Sequence, residues 1–226
     1  MNQKSGIPKG YRYFHIISML FVSSLLVGNT VAVKIITFLG FSIPAGILCF
    51  PLAYIVNDVL TEVYGYKKTK GVIWWGFICL GFMTLVYYLS TIITPAPFWK
   101  DQQAYLNIFN VVPRIALGSL VAFLVGSFLN SIVLSKMKIF TKGKYLWTRT
   151  IGSTIIGEGA DSIIFNLIAF AGIFKIQDLA IIMFSGFLLK TLYETVATPL
   201  TYLVVGYLKR IEQEDKYDIG ENYNPF

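Results

Sequence analysis

Residues 150–172 read TIGSTIIGEGADSIIFNLIAFAG, a stretch long enough to cross a lipid bilayer as one helix. Apolar residues dominate it, yet two carboxylates, Glu158 and Asp161, stand near its middle. A lone charge at bilayer depth costs at least about 2.5–3.5 kcal/mol, so such groups normally face a partner or a wet cavity. The stretch therefore predicts a membrane-spanning helix with a polar face that points into the protein.

The whole chain has the composition of an integral membrane protein. Of its 226 residues, 55% are hydrophobic, 16% are aromatic and 14% are charged, and the mean hydropathy is +0.64. A water-soluble globule of this size lacks the polar surface to cover so much apolar material, and disordered chains contain far less of it. The two cysteines, Cys49 and Cys79, lie inside apolar runs, so the composition does not indicate a disulfide scaffold.

Six apolar runs follow one another, each long enough for a span. We place them at residues 14–33, 42–63, 71–93, 112–135, 150–172 and 179–208. We therefore predict an all-α, six-helix transmembrane domain over residues 1–208, followed by a solvated, mobile cytoplasmic tail at 209–226. Pro44, Pro51 and Pro199 predict broken or kinked helices in the second and last runs.

Lysine and arginine are distributed unevenly between alternating loops. The side that holds both termini has 14 of them and the other side has 3. This bias predicts that both termini are cytoplasmic. Because the basic residues are dispersed over several loops, we expect the lipid bilayer and no nucleic acid as a partner. Three spans in each half are also compatible with two inverted three-helix repeats.

Five of the 12 acidic residues fall inside predicted spans. They occur in pairs at helical spacing: Asp58 with Glu62, Glu158 with Asp161, and Glu194 with the basic Lys190. Residues three or four positions apart project from one helix face. We expect these faces to meet inside the bundle, with Lys190 and Glu194 acting as a charge-balancing pair or gate.

Other polar residues in the spans are further candidates. Asn29 and Asn166 can form hydrogen bonds to neighbouring helices or to a ligand. Arg114 is either an interfacial side chain or the outer wall of a cavity. The chain has one histidine and no metal-spaced Cys/His set, so we expect no metal, no cofactor and no catalytic residue. Small residues on several helices are compatible with a homodimer.

Three segments together resemble the queuosine precursor transporter family, also called the vitamin uptake transporter family. They are FPLAYIVNDVLTEVYGYKKTK at residues 50–70, PRIALGSLVAFLVGSFLN at 113–130 and GEGADSIIFNLIAFAG at 157–172. The resemblance implies import of 7-cyano-7-deazaguanine, its aminomethyl relative or a related deazapurine base. It also implies a multi-pass protein of the bacterial cytoplasmic membrane.

The acidic pairs suit such a base. Its N1–H and 2-amino group are adjacent donors that one carboxylate can accept together. On this resemblance, we expect Asp58 and Asp161 to form the base-edge site, with Glu62 and Glu158 beside them. A donor to O6 would come from Lys190, Arg114 or an asparagine amide. In the alternative interpretation, the same charges form buried ion pairs that only fix helix packing.

Two other functions are open at this stage. A six-span chain with no ATPase is also compatible with the substrate-binding component of an energy-coupling-factor transporter, which would associate with a separate coupling subunit and ATPases. An intramembrane enzyme would also use buried carboxylates, although the sequence has no paired-aspartate protease motif. The residues do not distinguish proton coupling from facilitated or coupling-factor-driven uptake.

Overall fold

Helices account for most of the residues described by the computed structural model, which are 11–38, 41–109, 112–172 and 175–225. The helices are α1 (Phe14–Val31), α2 (Phe50–Tyr64), α3 (Tyr66–Ile92), α4 (Gln102–Phe109), α5 (Val112–Phe140), α6 (Leu146–Phe170) and α7 (Ile176–Glu212). Two short antiparallel strands, β1 (Ile35–Phe38) and β2 (Phe41–Pro44), lie between α1 and α2. The regular elements of the described residues are therefore helices, as predicted, apart from this hairpin.

Helix α2 occupies the centre of the bundle. It packs against α1, α3, α5 and α7 and touches α6. As a result, 13 of its 15 residues are buried, including Asn57, Asp58 and Glu62. A helix that is surrounded on all sides can place polar groups only against other polar groups or in an internal site.

The outer helices present apolar side chains outward. Met19 on α1, Phe82 on α3 and Leu203 on α7 are all largely exposed. Four helical stretches are long and apolar enough to cross a membrane: Phe14–Val31, Tyr66–Ile92, Leu117–Phe140 and Leu179–Glu212. Such outward faces are what lipid-contacting helices require, so the chain is a multi-pass membrane protein.

Helices α2 and α6, which each bear two of the intramembrane acids, differ from these four. Helix α2 has only 15 residues, and a 3₁₀ turn at Ala45–Leu48 precedes it, so the second apolar run is broken as predicted. Helix α6 has 25 residues but contains Arg149, Glu158 and Asp161. Helix α7, in contrast, continues through Pro199 as one helix.

Close contact between α5 and α6 depends on two glycines. A Cβ added at Gly157 would lie 2.7 Å from Asn130 Cβ and 2.9 Å from the Gly126 carbonyl oxygen. A Cβ added at Gly126 would lie 2.8 Å from Tyr54 Oη and 3.0 Å from Asp161 Cβ. Small residues thus let the helix backbones approach and bring α2, α5 and α6 together around Tyr54.

The segment after α7 packs against the bundle, so the prediction of a solvated, mobile tail was wrong. Asp218 is buried and accepts hydrogen bonds from the Tyr66 backbone N–H (2.9 Å) and from Ser135 Oγ (2.5 Å). Trp74 Nε1 donates to the Pro225 carbonyl oxygen at 2.8 Å. The tail contacts the start of α3 because Gly65, with φ +84°, turns the chain sharply between α2 and α3.

Both described ends of the chain lie at the same end of the bundle. Tyr11 Oη donates to Glu214 at 2.9 Å, and the Tyr13 backbone N–H donates to Glu212 at 2.6 Å. Burial, together with the hydrogen bond to Glu214 and its charge, raises the pKa of Tyr11. The placement of both ends on one side agrees with an even number of membrane crossings.

Candidate functional site

The charged residues of the spans separate into two groups at different levels of the bundle. The first group, the Glu62 cluster, consists of Glu62, Lys138, Arg149, Lys209 and Asp215. Arg149 Nη2 and Lys209 Nζ lie 2.6 and 2.7 Å from Glu62 Oε1, and Lys138 Nζ lies 3.6 Å from it. Cations from three helices, α5, α6 and α7, therefore converge on one buried carboxylate of α2.

The tail completes the Glu62 cluster. Asp215 Oδ1 lies 2.5 Å from Lys138 Nζ and 2.9 Å from Lys209 Nζ. Burial alone would raise the pKa of Asp215, but hydrogen bonds from the two lysines outweigh it, and the net effect lowers that pKa. Three cations and two anions share the cluster, so each carboxylate has a cationic partner. This is the arrangement that makes buried charges tolerable.

Glu62 was expected beside the base-edge carboxylates, and in the structure its Oε1 is bound by the cations of the Glu62 cluster. It lies one helical turn beyond Asp58 on α2, toward the end of the bundle that holds the basic residues Lys138, Arg149 and Lys209. A turn of helix is about 5.4 Å, which is enough to place two residues of one face in different surroundings.

The second group, the Lys190 site, consists of Asp58, Glu158, Asp161, Lys190 and Glu194. Lys190 Nζ lies 2.6 Å from Glu158 Oε2 and 2.9 Å from Asp161 Oδ2, so α7 is joined to α6 by a shared cation. The exposed side-chain fractions are 15% for Lys190, 17% for Asp161 and 1% for Glu158. Lys190 and Asp161 thus border accessible space, and Glu158 lies behind them.

The prediction that Lys190 pairs with Glu194 was wrong. Lys190 turns to the two carboxylates of α6, and Glu194 contacts no cation among the described residues. Both carboxylate oxygens of Glu194 are buried and lack a hydrogen-bond partner there. Glu194 is near enough to Asp58 and Glu158 for their charges to interact. Spacing on α7 alone predicted the pair, but contact between helices decided it.

Asp58 is fully buried on α2. Its Oδ1 accepts a hydrogen bond from Asn130 Nδ2 at 2.5 Å. Ser153 of α6 lies beside the carboxylate, but Oδ2 has no partner within hydrogen-bond distance in the described part of the chain. The amide oxygen Asn130 Oδ1 and Tyr54 Oη are also buried without a partner among the described residues. The buried inner part of the Lys190 site therefore contains acceptors and a hydroxyl without partners among the described residues.

Such unsatisfied groups are unusual in protein interiors. A buried polar atom without a partner costs about 1–3 kcal/mol, and more when it is charged. At the Lys190 site these atoms come from α2, α5 and α7 and lie near one another. Chemically, the arrangement can accept several hydrogen bonds from a ligand that carries donors.

The remaining candidates have separate positions. Asn29 donates to the Leu25 carbonyl oxygen at 2.9 Å and accepts from Ser119 Oγ, which links α1 to α5. Asn166 donates to the Ser162 carbonyl oxygen at 2.8 Å, and its buried Oδ1 is unpartnered among the described atoms. The side chain of Arg114 lies outside those that the structure describes.

Aromatic residues border the Lys190 site. The Phe50 ring, at the first residue of α2, has its centroid 5.8 Å from Lys190 Nζ. Tyr54, one turn later, is buried and near Asp58, Glu158 and Asp161. Rings at this position can stack on a flat ligand or shield the ion pairs from lipid.

A surface cavity of about 320 Å³ lies elsewhere, between the end of α3 and α4. Pro95, Phe98 and Trp99 line it, and its described lining includes no charged residue. The hydrogen bond between Ser90 Oγ and Tyr105 Oη, at 2.6 Å, holds α4 against α3. No metal-binding group of three or more His, Cys, Asp or Glu side chains occurs in the part of the chain that the structure describes.

Sequence reasoning found the acids of the Lys190 site but missed the cations that hold Glu62. Lys138, Arg149 and Lys209 counted only toward membrane orientation, although all three bind this carboxylate. Arg149 lies one residue before the predicted span 150–172, so it was not identified as a charge within the membrane.

Comparison with known proteins places the chain among membrane transporters. Residues 44–204 match the profile of a family described as "Putative vitamin uptake transporter". The matched range includes α2, α6 and every member of the Lys190 site. No solved structure matches the chain.

Three curated proteins are similar in sequence. The "Probable queuosine precursor transporter" of Bacillus subtilis is 32% identical over 175 residues, covering 77% of this chain and 76% of that protein. The "Queuosine precursor transporter" of Escherichia coli is 24% identical, covering 60% and 58% of the two chains. The "Probable queuosine precursor transporter" of Haemophilus influenzae is 25% identical, covering 55% of this chain and 51% of that protein.

Proposed function

This chain belongs to the vitamin uptake transporter family, and from that premise we propose that it imports a deazaguanine precursor of queuosine into the cytoplasm. The observation that carries the proposal is the Lys190 site, where buried acceptors without partners among the described residues lie inside a membrane bundle. A base that presents several N–H donors on one edge is the complement of such a site. The names of the three relatives support the same substrate class.

In this proposal α2 and α6 complete a six-span bundle. Helix α6 exposes the apolar side chains of Ile155 and Ile163, and the other helices surround α2. The end with the Glu62 cluster and the tail faces the cytoplasm, because the basic residues concentrate there. The protein then spans the bacterial cytoplasmic membrane with both ends inside.

Asp58 and Asp161 contact the base in this proposal. The unpartnered Asp58 Oδ2 accepts a donor of the base edge, while Asn130 holds Oδ1. Asp161, at the accessible side of the site, meets the ligand first. Lys190 or an amide donates a hydrogen bond to O6, the carbonyl oxygen of the base. Phe50 and Tyr54 provide faces for stacking.

Uptake in cells that cannot synthesise the base tests this function. Such cells, expressing this chain, receive low external concentrations of labelled 7-cyano- or 7-aminomethyl-7-deazaguanine, and the queuosine content of their tRNA is measured. We expect restoration by the chain alone. Asp58→Asn and Asp161→Asn should lower uptake, whereas Asp101→Asn, which alters an exposed loop carboxylate, should not.

Two results would contradict the proposal. One is no uptake by a chain that is correctly inserted in the membrane. The other is full activity of both aspartate variants at wild-type abundance, which would remove the site. A requirement for added coupling-subunit and ATPase genes would instead assign the chain to an energy-coupling-factor transporter.

A further inference from the structure

We propose that the Lys190 site selects a base that carries a protonated primary amine over its neutral relatives, and that Glu194 receives the ammonium group. The inference rests on the proposed function and narrows it to a cationic substrate class. It follows from two carboxylates of the site, Asp58 and Glu194, that have no cationic partner among the described residues, and from the burial of Glu194.

The charge count is the first argument. Four carboxylates belong to the site, and Lys190 is the cation that the described residues supply to it. Lys190 is committed to Glu158 and Asp161. A neutral ligand would bind to Asp58 and Glu194 without supplying any positive charge. A cationic ligand supplies one where the described protein does not.

The position of Glu194 is the second argument. It is 1% exposed, and neither carboxylate oxygen has a partner in the described part of the chain. The charged groups facing it are acidic: Asp58 from α2 and Glu158 from α6. An ammonium group brings up to three N–H donors and a full charge to such an acceptor.

The basic residues of the Glu62 cluster are already paired. Lys138, Arg149 and Lys209 are bound to Glu62, one turn further along α2 than Asp58. These three residues therefore supply no cation to Glu194.

Two contacts on adjacent helices then orient the ligand. The donor edge of the base meets Asp58 on α2, and the amine substituent meets Glu194 on α7, which packs against α2. A base with a nitrile or hydroxyl in place of the amine keeps its contact with Asp58 but brings no positive charge to Glu194. Recognition by a buried charge discriminates strongly against analogues that leave it unpaired.

The test compares ligands of matched size. Uptake of 7-aminomethyl-7-deazaguanine is measured against its neutral 7-hydroxymethyl isostere and the 7-cyano base, in cells that make none of them. We expect the half-saturating concentration of the amine to be at least about tenfold lower than that of the isostere. In Glu194→Gln the ratio should fall toward one, and in the Asp101→Asn control it should not change.

Each result decides a different statement. Equal half-saturation for amine and isostere in the unaltered chain overturns the selectivity, even if Glu194→Gln fails to fold, while the proposed function stands. Preference that persists in well-inserted Glu194→Gln protein overturns the assignment to Glu194. Absence of uptake for all three bases overturns the proposed function itself.

Discussion

The Glu62 cluster and the Lys190 site contain similar residues in opposite proportions. Around Glu62, three cations and two carboxylates satisfy one another, and Asp215 from the tail closes the network. Around Lys190, one cation serves two carboxylates, and Asp58 and Glu194 have no cationic partner among described residues. Both groups include buried carboxylates of the same helix, α2, so burial alone does not distinguish them.

The difference indicates which charges stabilise the fold and which serve a ligand. A balanced buried cluster is costly to break and gains nothing from a ligand. A site with unpartnered carboxylates pays a desolvation cost that a ligand can offset. The interpretation is therefore challenged directly if a mutation in the Glu62 cluster lowers uptake without lowering stability, or if a mutation in the Lys190 site lowers stability without lowering uptake.

The largest effect is expected from Glu62→Gln. Three cations would lose their shared carboxylate, and breaking a buried charge network costs about 3–5 kcal/mol of folding free energy. Thermal stability of the detergent-solubilised protein, followed by size-exclusion chromatography, should fall sharply. An unchanged stability would mean that the Glu62 cluster does not hold the bundle together.

Asp58→Asn should show the reverse pattern. No described cation is stranded by this change, so stability should stay near that of the unaltered protein or rise. Loss of a charge-assisted hydrogen bond to the base is worth about 1.5–3 kcal/mol, which corresponds to uptake weakened by about 10–100-fold. If stability fell while uptake per folded molecule did not, Asp58 would belong with the structural residues.

Gly157→Ala tests the packing that brings the site helices together. The added methyl would overlap Asn130 Cβ and the Gly126 carbonyl oxygen, and overpacking of this kind costs about 1–3 kcal/mol. Gly186→Ala on α7, where nothing lies within 4 Å, is the matched control and should be neutral or slightly stabilising. Equal melting temperatures for the two variants would refute the close α5–α6 contact.

The smallest effect is expected at Asp215. Because its pKa is lowered in the folded protein, its contribution is present above the unfolded value of about 3.9 and is lost as pH falls through the lower folded value. Amide hydrogen exchange of residues 213–225, corrected for intrinsic rates, should therefore accelerate on acidification below about pH 4. Asp215→Asn should exchange faster at neutral pH and lack this step. An identical pH profile in both proteins would exclude the ion pairs as its cause.

Pattern alone predicted much of the architecture. Apolar runs located α1, α3, α5, α6 and α7 to within a few residues at most ends, because the bilayer imposes a minimum apolar length on each span. The same constraint made the intramembrane acids conspicuous. Proline and glycine predicted the break before α2, but the α4 helix and the hairpin carry no comparable signal in the sequence.

The sequence by itself determined that this is a membrane protein with carboxylates inside its spans, since both follow from composition and spacing along one chain. Only the tertiary structure decided which charges meet. Asp58 and Glu62 share a helix face, yet one faces Asn130 and the other three cations, because different helices surround successive turns of α2. Lys190 likewise pairs across helices and not along its own. Partners of a buried charge are set by neighbouring elements, and local spacing does not encode them.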